Sequence, residues 1–178
     1  MKKKFSESIQ IPEGISCHVL NETLFCKNSN HELSRNIKIS NIVVGVSGDK
    51  INISCDSGNK KEYKYIKSLI AHIKNMFKGL DKHFVYTLQA CNVHFPMTLK
   101  VEKNNLVINN FLGEKKPRFA IILPHVKTEI KGQEVILSSF NKEAIGQTLA
   151  NIEKSTRVRG RDRRIFQDGI YLTSRGES

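Results

Sequence analysis

The chain has 178 residues, of which 39% are hydrophobic, and a formal net charge of +12. That length fits one domain or two small ones, and the apolar fraction is too high for a disordered chain. No apolar run approaches the roughly 20 residues that a membrane-spanning helix needs. No apolar stretch follows the basic start MKKKFSES, so we expect no secretory signal.

The excess of positive charge predicts a polyanionic partner. A globular chain with a sequence pI of about 9.6 repels itself unless an anion compensates. Nucleic acid is the usual partner of such a chain, and an anionic membrane surface is the second. We expect nucleic acid and no membrane.

The cysteines predict a reducing compartment. They are Cys17, Cys26, Cys55 and Cys91. None forms a C-x-x-C pair, and their scatter suggests neither a zinc site nor a disulfide framework. We therefore expect reduced thiols in a cytoplasmic protein.

The first half of the chain is typical of an antiparallel sheet followed by a helix. Its strand-like runs, rich in β-branched residues, are 15–20, 23–26, 35–40, 41–47 and 50–55. After a break at 57–59, apolar residues recur at helical spacing, namely Ile66, Leu69, Ile70, Ile73 and Phe77. Gly79 is the predicted stop of this helix.

The second half shows the same order of predicted strands followed by a helix. Its predicted strands are 84–95, 97–102, 106–111, 118–123, 127–132 and 134–139. Asn141 is placed to cap a helix that turns Ile145, Leu149 and Ile152 inward. A basic stretch follows this helix, and a last strand is predicted over 165–172.

The spacings of the two halves also match. Val19 and Leu24 flank a turn at the same separation as Val101 and Leu106, and the helical apolar positions agree as well. Strands followed by a helix are a common order, but matching hairpin and helix together favour a duplication. We predict an α+β fold of two tandem duplicated units, each an antiparallel sheet covered by a helix, over residues 1–82 and 83–178.

No pattern in the sequence predicts catalysis. The histidines, at positions 18, 31, 72, 83, 94 and 125, form no H-x-x-x-H, and surface or packing roles explain them. The two glycines of GVSGDK (45–50) fit a hairpin turn, and there is no phosphate-binding glycine loop. We predict no catalytic residue, metal, cofactor or small-molecule substrate, and the chain is not expected to be an enzyme.

The stretch RVRGRDRRIFQDGIY (157–171) carries the strongest charge signal. Its first half contains Arg157, Arg159, Arg161, Arg163 and Arg164. In an extended chain the first three would form a comb that matches phosphate oxygens, although a solvated run is the alternative. Its apolar residues, Ile165, Phe166, Ile170 and Tyr171, are predicted core anchors. Aromatic residues are sparse nearby, which favours recognition of folded RNA by phosphate and shape.

Two further groups of cations are candidate RNA contacts. The stretch NNFLGEKKPRF (109–119) carries Lys115, Lys116 and Arg118 on a loop stiffened by a proline. A solvated charged loop is the alternative there, whereas cations on a stiff loop would lose little entropy on docking to phosphate. Lys2, Lys3 and Lys4 form the third group.

Three longer stretches resemble a known family. They are IKNMFKGLDKHFVYTLQACNVHFP (73–96), LVINNFLGEKKPR (106–118) and RRIFQDGIYLTSRG (163–176). The sequence resembles the universal large-subunit ribosomal protein six family, whose eukaryotic form is called protein nine, from about Ile9 to Gly176. The second and third stretches are similar to its eukaryotic branch.

The resemblance implies two similar α+β units from a duplication and a structural role in the large ribosomal subunit. It implies binding of large-subunit rRNA near the sarcin–ricin loop and the factor-binding region, mainly through the second unit, in cytoplasmic translation. Neighbouring ribosomal proteins are further expected partners. The main alternative is a free-standing RNA-binding regulator or ribosome assembly factor, and an enzyme ranks third.

One stretch departs from the family. A Gly-Pro-x-Gly turn is usual in the first unit, and Asn28–His31 replace it here. Asparagine tolerates positive φ, so we expect a turn to survive.

Overall fold

The computed structural model describes residues 2–177, and of residue 177 only the backbone. Within that range the chain divides between Asp81 and Lys82 into two compact units, one residue before the predicted boundary. The described chain combines antiparallel sheets with two helices, which confirms the predicted α+β class. Over the same residues, neither helix is long and apolar enough to cross a membrane.

The first unit contains two small sheets and one helix. Its elements are β1 (Lys3–Gln10), β2 (Ser16–Leu20), β3 (Thr23–Lys27), β4 (Glu32–Asn36), β5 (Val43–Ser47), β6 (Lys50–Gly58) and α1 (Lys60–Asp81). The strands form two antiparallel sheets, ordered β1-β6-β5 and β2-β3-β4. One sheet was predicted here, but β2, β3 and β4 bond only to one another. Helix α1 contacts strands of both sheets.

A carboxylate fixes the start of α1. The backbone N–H of Asn59 donates to Glu62 Oε2 at 2.7 Å, and this hydrogen bond lowers the pKa of Glu62. Such a carboxylate satisfies an N–H group that the first helical turn leaves free. The buried apolar face comprises Ile66, Leu69, Ile73, Met76, Phe77 and Leu80. The predicted stop at Gly79 is wrong, because the helix continues to Asp81 with Gly79 buried.

The second unit has a larger sheet, a smaller one and a helix. Its elements are β7 (Phe84–Cys91), β8 (Thr98–Glu102), β9 (Asn105–Asn109), β10 (Arg118–Ile121), β11 (Lys127–Lys131), β12 (Glu134–Ser139), α2 (Lys142–Ser155) and β13 (Gly169–Glu177). The sheets are ordered β11-β12-β7-β13 and β10-β9-β8. Strand β13 therefore covers the edge of β7 that β12 leaves free. Helix α2 contacts β10 of one sheet and β7, β12 and β13 of the other.

The cap of α2 confirms the prediction from sequence. The Asn141 side chain accepts hydrogen bonds from the backbone N–H groups of Glu143 and Ala144 at 2.9 and 3.3 Å. The helix buries Ile145, Leu149 and Ile152. They pack in one core with side chains of both sheets, such as Leu88, Leu106, Ile108 and Leu137.

Two predicted strands end earlier than predicted, because the backbone N–H groups that follow them donate to side-chain oxygens and not to a neighbouring strand. The run 35–40 stops at Asn36, whose Oδ1 accepts from the Lys38 N–H at 2.8 Å. This local bond is an Asx turn, which competes with a strand ladder. The run 84–95 stops at Cys91, because the N–H groups after it donate to a distant carboxylate.

The last strand is shifted from the predicted range 165–172. It spans Gly169–Glu177. Before it, the N–H groups of Ile165 and Phe166 bond back to the carbonyl of Asp162 at 3.2 and 2.9 Å. These bonds form a turn, so the apolar residues at its end cannot begin the strand.

Strand β1 was not predicted. Its sequence, KKFSESIQ, is largely polar, and within this strand only Phe5, Glu7 and Ile9 are partly or fully buried. The strand pairs along its length with β6. Alternation with so few apolar residues is a weak signal, which explains the omission.

The turn at Asn28–His31 survives by a different route from the one predicted. The Asn28 N–H donates to the His31 carbonyl at 2.9 Å, and Asn28 Oδ1 accepts from the Ser29 N–H at 2.6 Å. The Asn28 amide also donates to the Leu80 carbonyl at 3.1 Å. None of the turn's residues, all of which the structure describes, has a positive φ. A backbone hydrogen bond and the side-chain hydrogen bonds of Asn28, and not a left-handed asparagine, stabilise this turn.

Candidate nucleic-acid interface

Three segments of the second unit contact one another and carry many exposed cations. We call them the arginine segment (157–168, between α2 and β13), the NFLG loop (110–117, between β9 and β10) and the crossing loop (92–97, between β7 and β8). They are far apart in sequence, so tertiary contacts have to hold them together.

Asp168 joins the end of the arginine segment to the crossing loop. Its side chain is only 1% exposed, and Oδ1 accepts from the N–H groups of Val93 and His94 at 2.9 and 3.0 Å. Oδ2 lies 2.6 Å from His94 Nδ1. Burial of Asp168 disfavours its charged form, but the hydrogen bonds from His94 and Val93 outweigh burial and lower its pKa. The ionised carboxylate therefore clamps two segments at neutral pH.

A stack of three side chains continues from this clamp to the surface. The Phe166 ring lies on the His94 ring, with centroids 4.6 Å apart and an interplanar angle of 19°. The guanidinium carbon of Arg161 lies 4.6 Å from the Phe166 centroid. A cation–π contact at an exposed site contributes about 0.5–1 kcal/mol. The ring that contacts Arg161 is Phe166 of the arginine segment itself, and the crossing loop adds the His94 ring on Phe166.

Arg118 is held by protein groups on several sides. Its Nε and Nη2 donate to the Glu114 carboxylate at 2.8 and 2.5 Å, and Nη1 donates to the Ser155 and Arg157 carbonyls at 2.8 and 3.3 Å. The guanidinium lies 4.2 Å from the Phe111 centroid. Its hydrogen bonds lower the pKa of Glu114. Arg118 thus ties the NFLG loop to the start of the arginine segment, and most of its donors are already used.

The NFLG loop contains left-handed backbone. Asn110, Leu112 and Gly113 have φ of 59°, 52° and 77°. A bulky residue such as leucine costs about 1–3 kcal/mol there, and Leu112 gains packing against the core in return. The Asn110 amide donates to the Pro96 carbonyl at 3.0 Å, and a Cβ on Gly113 would lie 3.5 Å from the Phe95 ring. The NFLG loop therefore rests on the crossing loop.

The other predicted cations of this unit are exposed. They are Arg157, Arg159, Arg161, Arg163, Arg164, Lys115 and Lys116. Arg157 and Arg159 flank Val158, which is 8% exposed, as an extended alternation predicts. The comb does not continue to Arg161, because Gly160 has a φ of +65° and turns the chain. Beyond it, Asp162 Oδ1 accepts from the Arg164 N–H at 2.9 Å.

The anchors of the arginine segment differ in part from the predicted ones. Ile170 is fully buried and Phe166 packs against the core, as expected. Ile165 and Tyr171 are 62% and 42% exposed, so their predicted core roles are wrong. The turn before β13 directs Ile165 outward, whereas Tyr171 lies in β13 on the opposite side from buried Ile170. Buried Val158 anchors the segment near its start.

Two open grooves flank the arginine segment and share Arg163 and Tyr171. The first, of about 330 Å³, is also lined by Ala150, Glu153, Lys154, Thr156, Arg157 and Val158. The second, of about 490 Å³, is also lined by Cys91, Val93, Phe166 and Gln167. Cationic and apolar groups thus lie side by side on this surface, with Glu153 as an acidic group of the first groove, and the two types suit phosphates and bases respectively.

The amino-terminal lysines belong to the first unit. Lys2, Lys3 and Lys4 are exposed at the start of β1. Lys4 Nζ lies 3.0 Å from Asp56 Oδ1, with the two side chains 71% and 85% exposed. Such an exposed pair contributes little to stability. The surface formed by the three segments does not include these lysines.

Sequence reasoning missed the residues that hold the surface together. His94 and Asp168 are 74 positions apart, so no local pattern joins them. One signal was present: Asp168 is an acid within an apolar stretch and directly precedes a glycine. A carboxylate in such a position is buried only with partners, and so predicts a tertiary contact.

The His94–Asp168 pair also has the form in which a carboxylate orients a general base. Phe166 covers one face of the imidazole, and over residues 2–177 no hydrogen bond joins its Nε2 to a hydroxyl or thiol. In the same range, no three His, Cys, Asp or Glu side chains gather as a metal site. The pair is therefore explained by its clamping role.

The fold and this surface define a basic α+β protein whose cations are fixed in place around a structural clamp. The family model described as Ribosomal protein L6 matches residues 95–169, which include most of the three segments. The chain belongs to this family. It is 41% identical over 169 residues to the large ribosomal subunit protein uL6 of Methanobrevibacter smithii, covering 95% of each chain.

Two further relatives with the same name extend over more of the chain. The uL6 proteins of Methanothrix thermoacetophila and Methanosarcina mazei are 39% and 37% identical over 175 residues, which cover 98% of this chain and 99% of each relative. Members of this family are structural components and not enzymes, which confirms the predicted family and the absence of enzymatic function. These relatives are archaeal, and the likeness to the eukaryotic branch stays a prediction.

The clamp can be tested by replacing Asp168 with asparagine. The change is expected to lower the free energy of unfolding by about 2 kcal/mol near neutral pH, because charge-assisted hydrogen bonds are lost at constant size. The folded-state pKa of Asp168 is lowered relative to an unfolded value of about 3.9. The wild-type advantage is therefore complete above that pH and is lost as pH falls through the folded-state pKa.

Urea unfolding of both proteins at a series of pH values measures this difference. Asp162→Asn, an exposed change in the same segment, is the matched control and is expected to stay within about 0.5 kcal/mol of wild type. An Asp168→Asn chain as stable as wild type near pH 7, or a difference that does not shrink below about pH 4, would contradict the clamp.

Proposed function

We propose that this chain is a structural constituent of the large ribosomal subunit and binds folded rRNA through the arginine segment and its neighbouring loops. The name that its relatives share, large ribosomal subunit protein, supports the assembly. The observation that carries the RNA contact is a set of exposed cations on segments fixed by Asp168 and Arg118. Fixed cations lose little conformational entropy when they meet phosphate.

The predicted cations have different roles in this proposal. The five arginines of the arginine segment form the main contact, since the planar guanidinium matches phosphate oxygens bidentately. Lys115 and Lys116 add charge on the NFLG loop. Arg118 was predicted as a direct contact, but its bonds to Glu114 and to two carbonyls make it a positioning residue. Lys2, Lys3 and Lys4 form a further contact on the first unit.

Apolar groups beside the cations add a second mode of contact. Val93, Phe95 and Ile165 are 61%, 46% and 62% exposed. RNA loops and bulges present unstacked bases that pack against such side chains, while phosphate contacts set the register. This surface is therefore suited to a folded RNA with irregular features more than to a regular duplex.

The finer placement in the ribosome follows from the resemblance. We place the second unit beside the sarcin–ricin loop and the factor-binding region of the large-subunit rRNA, in cytoplasmic translation. Neighbouring ribosomal proteins are proposed as further partners. Exposed Phe119 and Ile121 on β10, a strand at the edge of its sheet, support such a contact, because apolar edge strands are seldom left uncovered.

We also propose that the two units arose by duplication. In each unit the first strand pairs with the last strand of a hairpin, giving β1-β6-β5 and β7-β12-β11. In each, three strands between these form a sheet of their own, β2-β3-β4 and β8-β9-β10, and a helix follows. Val19 pairs with Leu24 as Val101 pairs with Leu106. Strand β13 is the addition of the second unit.

Sedimentation separates this proposal from a free-standing regulator or an assembly factor. A structural constituent is expected to co-migrate with mature large subunits and to remain after a high-salt wash, because many contacts hold it in the assembled particle. The measurement is the amount of tagged chain in each gradient fraction before and after the wash. Loss from mature subunits in the wash, or accumulation only in precursor particles, would favour the alternative.

Neutralising the arginine segment is expected to weaken RNA binding mainly through charge. Arg159→Gln with Arg163→Gln should reduce affinity for large-subunit rRNA fragments and lower the slope of log K against log salt by about 1 for each lost phosphate contact. Lys127→Gln with Lys131→Gln, on β11 of the same unit, is the control with an equal change in charge. Filter binding over a range of salt concentrations measures both. Equal effects of the two pairs, or a flat salt dependence of the wild type, would refute the assignment.

Phe166→Ala is expected to weaken RNA binding although it removes no charge. The change removes the ring on which Arg161 and His94 rest, so the arginine segment loses its fixed geometry. Ile165→Ala, at a neighbouring residue that is 62% exposed, tests loss of apolar area without loss of the stack. Affinity for the same RNA and urea stability are measured for both variants. If Phe166→Ala binds and folds like wild type, the stack has no positioning role.

A further inference from the structure

Cys17 and Cys26 face each other across the first hairpin. They are directly paired in the register of β2 and β3, and their sulfur atoms lie 3.1 Å apart. From the sequence these thiols were expected to be reduced, because the four cysteines are scattered and none forms a C-x-x-C motif. The fold of the hairpin brings them together.

The strand register places the Cα atoms of the two cysteines at a separation that a disulfide can span. The hairpin closes through Asn21 and Glu22, which both have positive φ, so Leu20 and Thr23 form the hydrogen-bonded pair that flanks the turn. Hydrogen-bonded and non-hydrogen-bonded pairs alternate along antiparallel strands, which makes Cys17 and Cys26 a non-hydrogen-bonded pair. The Cα atoms of such pairs are about 4.5 Å apart, within the range that disulfides span.

The two thiols are unequal in reactivity. Cys17 is partly exposed, whereas Cys26 is fully buried. The hydrogen bond with the Cys26 side chain lowers the pKa of Cys17, and the same contact together with burial raises the pKa of Cys26. The thiolate is the nucleophile in thiol–disulfide exchange, so the more exposed Cys17, which has the lower pKa, is the expected first nucleophile.

We propose that Cys17 and Cys26 form a dithiol–disulfide site that reacts with low-molecular-weight disulfides such as glutathione disulfide. The Cys17 thiolate attacks one sulfur of glutathione disulfide, forms a mixed disulfide and releases one glutathione thiolate, which takes up a proton. Cys26 then gives up its proton and attacks Cys17 Sγ, which releases the second glutathione. In sum, two protein thiols are oxidised to one disulfide and one glutathione disulfide is reduced to two glutathiones.

The product would lock the register of the hairpin. The link joins β2 to the central strand of the β2-β3-β4 sheet, whose register the remaining pairs already fix. Such a disulfide is reduced again by thiol–disulfide exchange, so the proposed site would respond to the thiol–disulfide balance of its surroundings. The site lies in the first unit and does not depend on the proposed binding of rRNA.

The test is oxidation of the folded full-length chain in glutathione buffers of increasing disulfide content. We expect loss of two thiols per chain, a mass lower by two hydrogens and full reversal by dithiothreitol. Trypsin leaves both cysteines in one peptide, because no lysine or arginine stands between them, whereas cleavage after Glu22 separates them. Digestion with both proteases therefore shows the link as two joined peptides.

Three variants assign the order of the steps. Cys26→Ser is expected to stop as a glutathione adduct on Cys17, and Cys17→Ser to leave Cys26 reduced. The double variant with Cys55→Ser and Cys91→Ser removes the other cysteines and is expected to form the link like wild type. The proposal is overturned if native wild-type chain accumulates glutathione adducts without the link, or if the link forms only in urea. The wild-type result decides this even where a variant does not fold.

Discussion

The buried carboxylate of Asp168 is the interaction on which the surface of the second unit depends. One ionised group, 1% exposed, binds two backbone N–H groups and an imidazole of the crossing loop. A buried charge is tolerated only while its partners stay in place, and losing one partner costs far more than an ordinary surface contact. The end of the arginine segment and the crossing loop are therefore fixed jointly. The stack of Arg161, Phe166 and His94 extends that fixed geometry to solvent.

Residues of one type serve different purposes here because their surroundings differ. Arg118 lies against Phe111 and donates hydrogen bonds to Glu114 and to backbone carbonyls, so it holds the loops of the surface in place. Arg159 and Arg163 are exposed and carry the same charge, and within residues 2–177 they have no such set of bonds. The net charge of the chain counts all three alike. Only the fold separates the arginine that builds the surface from those available to a polyanion.

Features set by neighbouring residues could be predicted from the sequence, and features set by distant contacts could not. The cap of α2 at Asn141 and the β2–β3 hairpin depend on a few adjacent positions, and both are confirmed. The exposure of Ile165 depends on a turn, which the alternation of polar and apolar residues along the sequence does not reveal. The clamp on Asp168 depends on a contact between residues 74 positions apart, which no local pattern reveals. The cysteine pair instead follows from the register of the β2–β3 hairpin, and a search for C-x-x-C spacing does not detect it.

The position of β13 in the chain has a consequence for the order of events during synthesis. It covers the open edge of β7, and Asp168 lies just ahead of it. As the chain is made from its amino end, the crossing loop emerges long before the carboxylate that binds it. The NFLG loop likewise precedes the carbonyls that receive Arg118. The first unit can fold while the second is still being made, whereas the exposed cations of the second unit become fixed only after Asp168 has been added to the chain.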